Sequence, residues 1–483
     1  MSKKPTDSIV YWIRSDLRLS DNIALWEAAK SNKDLIVIYI KNFNKSFSKP
    51  GLAAESWINK SLQELSSRYK KLFNLNLQVY DGDYNLIFKS LYKETNFASL
   101  YINSTHDPEI DKIDRFIEKE FSGQFNVSSF NSSLLFNPNE ILNNSGTFFK
   151  VYTPFWKNAL NKLSLRDPLP IPKIKAVYKK EIKSLKQIEV DFKKKDWEKK
   201  ILSHFIPGEI NARKMLKEVT IKIDGYSEER DFPIKNNTSQ LSPYLARGEL
   251  TANEIFSTIK KNKNKININD YSKFTAQLGW REFSYNILFN FPKLPKQNFV
   301  SKFDSFPWKK NNTSLIKWQK GLTGYPIVDA GMRELWATGY MHNRLRMITA
   351  SFLIKNLNMS WTEGANWFWN NLFDADIANN SAGWQWVAGC GTDAAPYFRI
   401  FNPTLQSIRF DKGGKYIRKW IPELKELPDK FIHAPWELTE MELISYNLKL
   451  GKDYPYPIVD HKITRDEALK NYKKINISKL VMQ

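Results

Sequence analysis

A chain of 483 residues is long enough for two or three domains with large cores, and its 73 lysines and arginines against 51 acidic residues give a formal net charge of +22. That excess favours a polyanionic partner, nucleic acid first, because a positive surface gains by releasing the counterions condensed on phosphate. One cysteine and five scattered histidines exclude an intrachain disulfide framework, a four-cysteine iron–sulfur site and a zinc site, so no metal is expected.

The opening MSKKPTDS lacks an apolar signal core, and no run reaches the roughly 18–20 apolar residues of a membrane span, which predicts a cytoplasmic chain without membrane contact. Ile9–Ile13, Leu35–Ile40, Leu75–Tyr80, Leu100–Ile102 and Phe125–Phe130 then read as short β-rich runs, and Ser56–Leu72 and Ile110–Phe121 between them read as helices. Strand–helix alternation predicts an α/β domain with a parallel sheet covered on both faces. Around Asp167–Pro172, DPLPIP, the periodicity stops, and a lysine-rich connector follows to about Lys200. From about Ile201 onward the pattern is helical, punctuated at Pro243, Pro292, Pro307 and Pro326, and 11 of the 16 tryptophans lie after residue 242. An all-α domain packs many aromatics as core, which accounts for Trp336, Trp367 and Trp369. It accounts less well for tryptophans beside arginines and amides.

Four stretches keep that company. Thr238–Tyr244, TSQLSPY, puts hydroxyls and free backbone N–H groups before a helix, which suits either capping or a phosphate. In Gln277–Phe283, QLGWREF, helical spacing lets Gln277, Trp280 and Arg281 line one face, as a stacked and edge-bonded base requires. Met341–Met347, MHNRLRM, brings Asn343, Arg346 and Met347 to one face, with Arg346 able to pair with Asp374 or Asp376. In DADIANNSAGWQWVAGCGTDAAPYFRIFNP, from Asp374 to Pro403, a helix would place Asn380 and Trp384 together and turn Trp386 the other way. Something planar and polar is expected to dock there.

WREF at 280–283, TGYPIVDAGMREL at 323–335, MHNRLRMITASFL at 341–353, the Asp374–Pro403 stretch and the opening YWIRSDLRLSDNIAL resemble the photolyase/cryptochrome family, and within it the cyclobutane pyrimidine dimer (CPD) photolyases. The resemblance covers nearly the whole chain. It implies an antenna-type α/β domain at 1–135, a connector at 136–200 and an all-α FAD-binding catalytic domain at 201–483. It also implies light-driven repair of dimers in DNA by electron transfer from excited, reduced FAD to a flipped-out lesion.

Residue by residue, the family's phosphate-binding segment matches Tyr226, Arg230, Thr238, Ser239, Gln240, Leu241 and Ser242. The Asn opposite the flavin N5 matches Asn380, the buried Arg–Asp pair matches Arg346 and Asp374, and Asp376 matches the neighbouring carboxylate. Trp280 and Trp386 match the indoles packed on the dimer, with Asn343 and Met347 beside it. Arg281, Arg344 and Arg399 match a DNA-facing rim. Trp384, Trp361 and Trp308 match the electron-hopping chain, in that order outward. Gln277 departs from the family, because CPD photolyases carry a glutamate there and a glutamine cannot hand over a carboxyl proton. The (6-4) photolyases and animal cryptochromes share the glutamine, but Asn343 and Met347 keep the expectation with CPD repair. Asn103–Pro108 departs from the usual antenna pattern, whereas Gly51–Leu62 is similar to the helix after the antenna loop, so the alternatives are an antenna chromophore, methenyltetrahydrofolate ahead of a deazaflavin, or an empty site. A signalling cryptochrome would carry an added tail, and here the chain ends soon after PIVDH at 457–461. A monomer is expected.

Overall fold

Each of the five β-rich runs becomes a strand. The structure, a computed structural model, describes residues 8–42, 49–180, 182–188, 195–235 and 237–477, so the opening MSKKPTD, residues 189–194 of the expected connector and residues 478–483 lie outside it. In chain order come β1 (Ser8–Ile13), α1 (Ile23–Lys30), β2 (Asp34–Lys41), α2 (Leu52–Phe73), β3 (Gln78–Asp81), α3 (Tyr84–Thr95), β4 (Ser99–Asn103), α4 (Pro108–Glu120), β5 (Asn126–Phe130) and α5 (Tyr152–Lys162). All pairings are parallel, in the order β3-β2-β1-β4-β5. Every residue of β1 is buried, as a central strand covered on both faces requires. Alternation divides its side chains between two cores. Ile9, Tyr11 and Ile13 pack with Ala24, Leu25 and Ala28 of α1 and Ile58, Leu62 and Leu65 of α2, whereas Val10 and Trp12 pack with Ile87, Phe88 and Leu91 of α3 and Ile117 of α4.

Helices α1 and α3 join the two helices read from periodicity, and each is started by a side-chain cap: Asn22 accepts from the Leu25 N–H, and Asp83 from those of Asn85 and Leu86. The run expected from Leu75 joins the ladder only at Gln78, since Asn74 ends α2 in the left-handed region and Leu75 drops into the core. Part of the expected connector completes the sheet. Leu35 N–H donates to Ala176 O, Tyr178 N–H to Leu35 O and Ile188 N–H to Val79 O, so this segment pairs with the start of β2, ahead of where β3 joins it, and meets β3 itself at Val79.

The remainder is helical: α6 (Asp196–Leu202), α7 (Glu209–Lys222), α8 (Tyr226–Glu229), α9 (Ser242–Ala246), α10 (Ala252–Lys261), α11 (Ile268–Asn290), α12 (Asn312–Lys320), α13 (Pro326–Thr338), α14 (Asn343–Ser351), α15 (Trp361–Asn371), α16 (Ile377–Ala388), α17 (Pro403–Phe410), α18 (Lys415–Trp420), α19 (Glu440–Ser445) and α20 (His461–Ile477). Pro243 and Pro326 open helices rather than break them, because the first helical turn has no use for their missing N–H. A fully buried π-helical turn, Phe352–Asn356, follows α14.

Two compact units result, and they do not follow one cut in the sequence. The first takes residues 1–199, 205–224 and 239–292; the second takes 200–204, 225–238 and 293–483. Residues 136–199, expected as a connector, therefore carry α5 and belong to the first unit. In the second, α13 to α16 wrap an apolar core that includes Trp318, Leu345, Phe352, Leu353, Trp361, Phe368 and Trp384.

Candidate active site

Helices α14 and α16 of the second unit supply most of the expected polar side chains. Arg346 donates from Nη2 to Asp374 Oδ2 at 2.8 Å and from Nε to Met341 O at 2.8 Å. Its guanidinium lies 5.4 Å from the centroid of Tyr340, which shares a hydrogen bond with Thr238. Of the two carboxylates open to Arg346 in the sequence, the pairing thus selects Asp374. Burial works against the Arg346 cation, but Asp374 beside it more than compensates, so the guanidinium is held above its ordinary range. Asp376 instead caps α16, accepting from Asn379 N at 2.8 Å and Asn379 Nδ2 at 2.7 Å.

Two turns of α16 sort its amide and indoles. Asn380 donates from Nδ2 to Ala365 O at 3.1 Å, which leaves its oxygen as the acceptor. Trp384 is buried, edge-on to Phe368 at 4.9 Å and Trp318 at 6.3 Å. Trp386, two residues on, is half-buried against the core, as the helical spacing requires. Trp361 is buried with Nε1–H on Asn298 Oδ1 at 2.8 Å, and Trp308 is half-buried, 4.2 Å from Phe306.

Asn343, the first residue of α14, is exposed with Nδ2 3.9 Å from Met347 Sδ. Arg344 is not a free rim charge: it pairs with Asp231 at 2.6 Å and covers Phe410 at 4.3 Å. Arg399 is exposed. Tyr226 is buried, which pushes its hydroxyl up, and Arg230 lies over its ring at 5.3 Å. His342, absent from the sequence expectations, is the N-cap of α14, with Nδ1 accepting from Arg344 N at 3.2 Å; burial lowers its pKa to about 4. A helix start read at Asn343 would have found it.

Of the residues expected to form a phosphate segment, Tyr226, Arg230 and Thr238 fall in the second unit, whereas Ser239 to Ser242 fall in the first and lead into α9, which is only five residues long and takes no side-chain cap. Ser239 Oγ accepts from Leu241 N at 3.4 Å, and Gln240 has φ of 51°. Along α11, Gln277 is half-buried and donates to Lys273 O at 2.9 Å. Arg281 folds back onto Ser133 O at 3.1 Å and Glu282 Oε1 at 3.2 Å. Glu282 is buried, which raises its pKa to about 7, and it also accepts from the Leu135 and Phe136 N–H groups. Trp280 stacks on Tyr152, which the sequence reading did not single out, with ring centroids 3.7 Å apart and planes 8° from parallel. Asn103 is spent on Asp16, Asn22 and Ala24, His106 on Asn131, and Asp107 on the cap of α4.

Residues 9–173 match the family described as DNA photolyase, and residues 274–474 match the FAD binding domain of DNA photolyase. A deoxyribodipyrimidine photo-lyase of Agrobacterium fabrum is 41% identical over 97% of this chain and 98% of its own length. The chain belongs to the DNA photolyase family. A crystal structure of a class III photolyase from Agrobacterium tumefaciens is similar with a TM-score of 0.92 at 40% identity, covering 98% of this chain and 99% of that one. Cryptochrome-2 of Arabidopsis thaliana is 33% identical over 95% of this chain and 78% of its own.

FAD is the cofactor of this photolyase-family chain, and the residues present fit it. The part-buried Arg346–Asp374 pair and the oxygen of Asn380 offer one cationic, one anionic and one neutral acceptor group to a polar ring edge. Among the described residues no group of side chains could hold a metal ion, and no helix is long and apolar enough to cross a membrane.

Proposed function

We propose that this chain is a deoxyribodipyrimidine photo-lyase that repairs cyclobutane pyrimidine dimers in DNA by light-driven electron transfer. The observation that carries the reading is the way α16 divides its indoles, with Trp384 buried in the core of the FAD-binding unit and Trp386 half-exposed two residues later. FAD, bound and reduced, supplies the electron that opens the dimer and receives it back. The protein's part is binding and orientation. Arg346, Asp374, Asp376 and Asn380 hold the isoalloxazine side, and Tyr226, Arg230 and Thr238 to Ser242 hold the phosphates. Trp280 of the first unit and Trp386 of the second each give a flat apolar face to a flipped base, and Asn343, Met347 and Gln277 are assigned to the same lesion; such stacking contributes ~1–3 kcal/mol per base. Trp384, Trp361 and Trp308 return electrons from the surface to oxidised flavin. Arg399, Arg281 and Arg344 face the DNA, the last two restrained by Glu282 and Asp231.

The same reading makes the chain a monomer of the cytoplasm. An antenna chromophore, methenyltetrahydrofolate or a deazaflavin, is recognised by groups other than the side chains of Asn103, His106 and Asp107, which the fold already uses. A second reading rests on Gln277, the glutamine shared with (6-4) photolyases and animal cryptochromes.

The deciding experiment mixes anaerobically reduced, FAD-loaded protein with CPD and (6-4) oligonucleotides, under blue light and in the dark. Light-dependent reversal of the CPD alone is expected. Reversal of the (6-4) lesion alone would transfer the assignment, and reversal of neither, with flavin still photoreducible, would favour a cryptochrome.

A further inference from the structure

Helix α11 carries Gln277, Trp280 and Arg281, and one segment of the first unit, residues 131–162, fastens it along its length. Glu282 accepts the Leu135 and Phe136 N–H groups, Asn286 donates to Pro138 O at 2.6 Å, and Phe155 packs on Phe283 at 5.2 Å. Gly279 permits the closest approach, since a Cβ there would stand 2.5 Å from the Trp156 ring. Tyr152 opens α5 and reaches α11 twice. Its ring lies face to face with Trp280, and its hydroxyl donates to Ala276 O at 2.8 Å, one turn before the indole. Phe283 stands edge-on to both rings at 5.9 Å.

We propose that Tyr152 is a positioning residue for damage recognition: it covers one face of the Trp280 indole, fixes the plane of the ring and leaves a single face for the flipped dimer. This rests on the reading of Trp280 as a contact of the lesion. A stacked partner takes one of the two faces through which an indole binds a base. A hydroxyl anchored on the same helix holds the pair in register, because the tyrosine cannot slide without giving up that bond. The indole then meets the lesion without first having to settle its rotamer, so less ordering entropy is lost on binding.

The test measures dark binding of FAD-loaded protein to a duplex with one CPD and to its undamaged twin. Tyr152→Leu removes the aromatic face and should weaken CPD binding about tenfold, with undamaged affinity unchanged, as expected for part of a stacking contribution. Tyr152→Phe keeps the face and gives up only the hydroxyl anchor, so it should weaken CPD binding by less than Tyr152→Leu, about two- to fourfold. Tyr152→Met, which fills the space with a flexible chain, replaces Tyr152→Leu should that variant fail to fold or to hold FAD. Trp280→Ala separates the two claims. If it abolishes selectivity for damage while Tyr152→Leu and Tyr152→Met bind like the parent, Tyr152 has no positioning role. If Trp280→Ala leaves selectivity intact, the lesion reading of Trp280 falls and takes this inference with it. Equal losses on damaged and undamaged duplex would also overturn it, since a merely structural role produces that pattern.

Discussion

Gly364 of α15 lies directly under the Trp384 indole: a Cβ at that position would stand 2.0 Å from the ring and 2.7 Å from Leu353. The absence of a side chain is what lets α15 and α16 close over the tryptophan. Gly364→Ala must push the indole aside, and overpacking of this kind costs about 1–3 kcal/mol. A lower unfolding temperature together with slower photoreduction of oxidised flavin is expected. Unchanged photoreduction in a destabilised variant would remove Trp384 from the electron route.

Asp374→Asn leaves Arg346 charged beside a neutral amide. Exchanging an ion-paired hydrogen bond for one to a neutral amide oxygen in this part-buried position should cost about 1–3 kcal/mol. The fraction of protein purified with FAD, read from the flavin absorbance, should fall, and full retention would show that the pair only supports the fold.

Trp386→Ala should weaken binding to CPD-containing duplex by about 1–3 kcal/mol while FAD is retained. Its half-exposed place on α16 means the fold can tolerate the loss. Gel-shift titration with damaged and undamaged duplex decides this, and equal affinities before and after the change exclude the residue from lesion binding.

His342 sets an acid limit on stability. Burial keeps its folded pKa at about 4, below the ordinary imidazole value of about 6.5. Between those values the unfolded chain binds more protons, so the stability present above pH 6.5 is lost as pH falls toward 4, by about 2–3 kcal/mol for this group. His342→Asn keeps an N-cap acceptor and does not titrate. Urea unfolding of both proteins from pH 7 to pH 4 should show the parent losing stability faster, and parallel profiles would contradict the assignment.

Arg399 is exposed, whereas Arg281 and Arg344 are restrained by carboxylates. Arg399→Ala should therefore weaken damaged and undamaged DNA alike and lower the slope of log affinity against log salt by about one. An unaltered slope would place Arg399 away from phosphate.

The strands were legible because a parallel sheet covered on both faces needs unbroken apolar runs, and Ile9–Ile13 and Leu35–Ile40 are such runs. Helix α1, eight residues long, was not, since its evidence lies in the cap Asn22 rather than in a long apolar stripe. At the site, local spacing put Trp384 and Trp386 on different sides of one helix. It could not choose Asp374 over Asp376 for Arg346, because that choice depends on how two helices meet. Nor could it foresee that Asp231, 113 residues from Arg344, would pair with it, or that Tyr152 would stack on Trp280. Contacts between distant parts of a chain leave no periodic trace.

The hydrogen bonds from the 176–188 segment to Leu35 and Val79 bear on how this chain can be taken apart and rebuilt. A chimera that joins the α/β sheet to another catalytic half must carry that segment with it. Cutting before Ala176 would strip Leu35 of β2 and Val79 of β3 of these partners and leave that part of the ladder open to pairing between molecules. A cut after Ile188 keeps these bonds, but the compact unit that holds the sheet also draws on residues 205–224 and 239–292, so no single cut frees it whole.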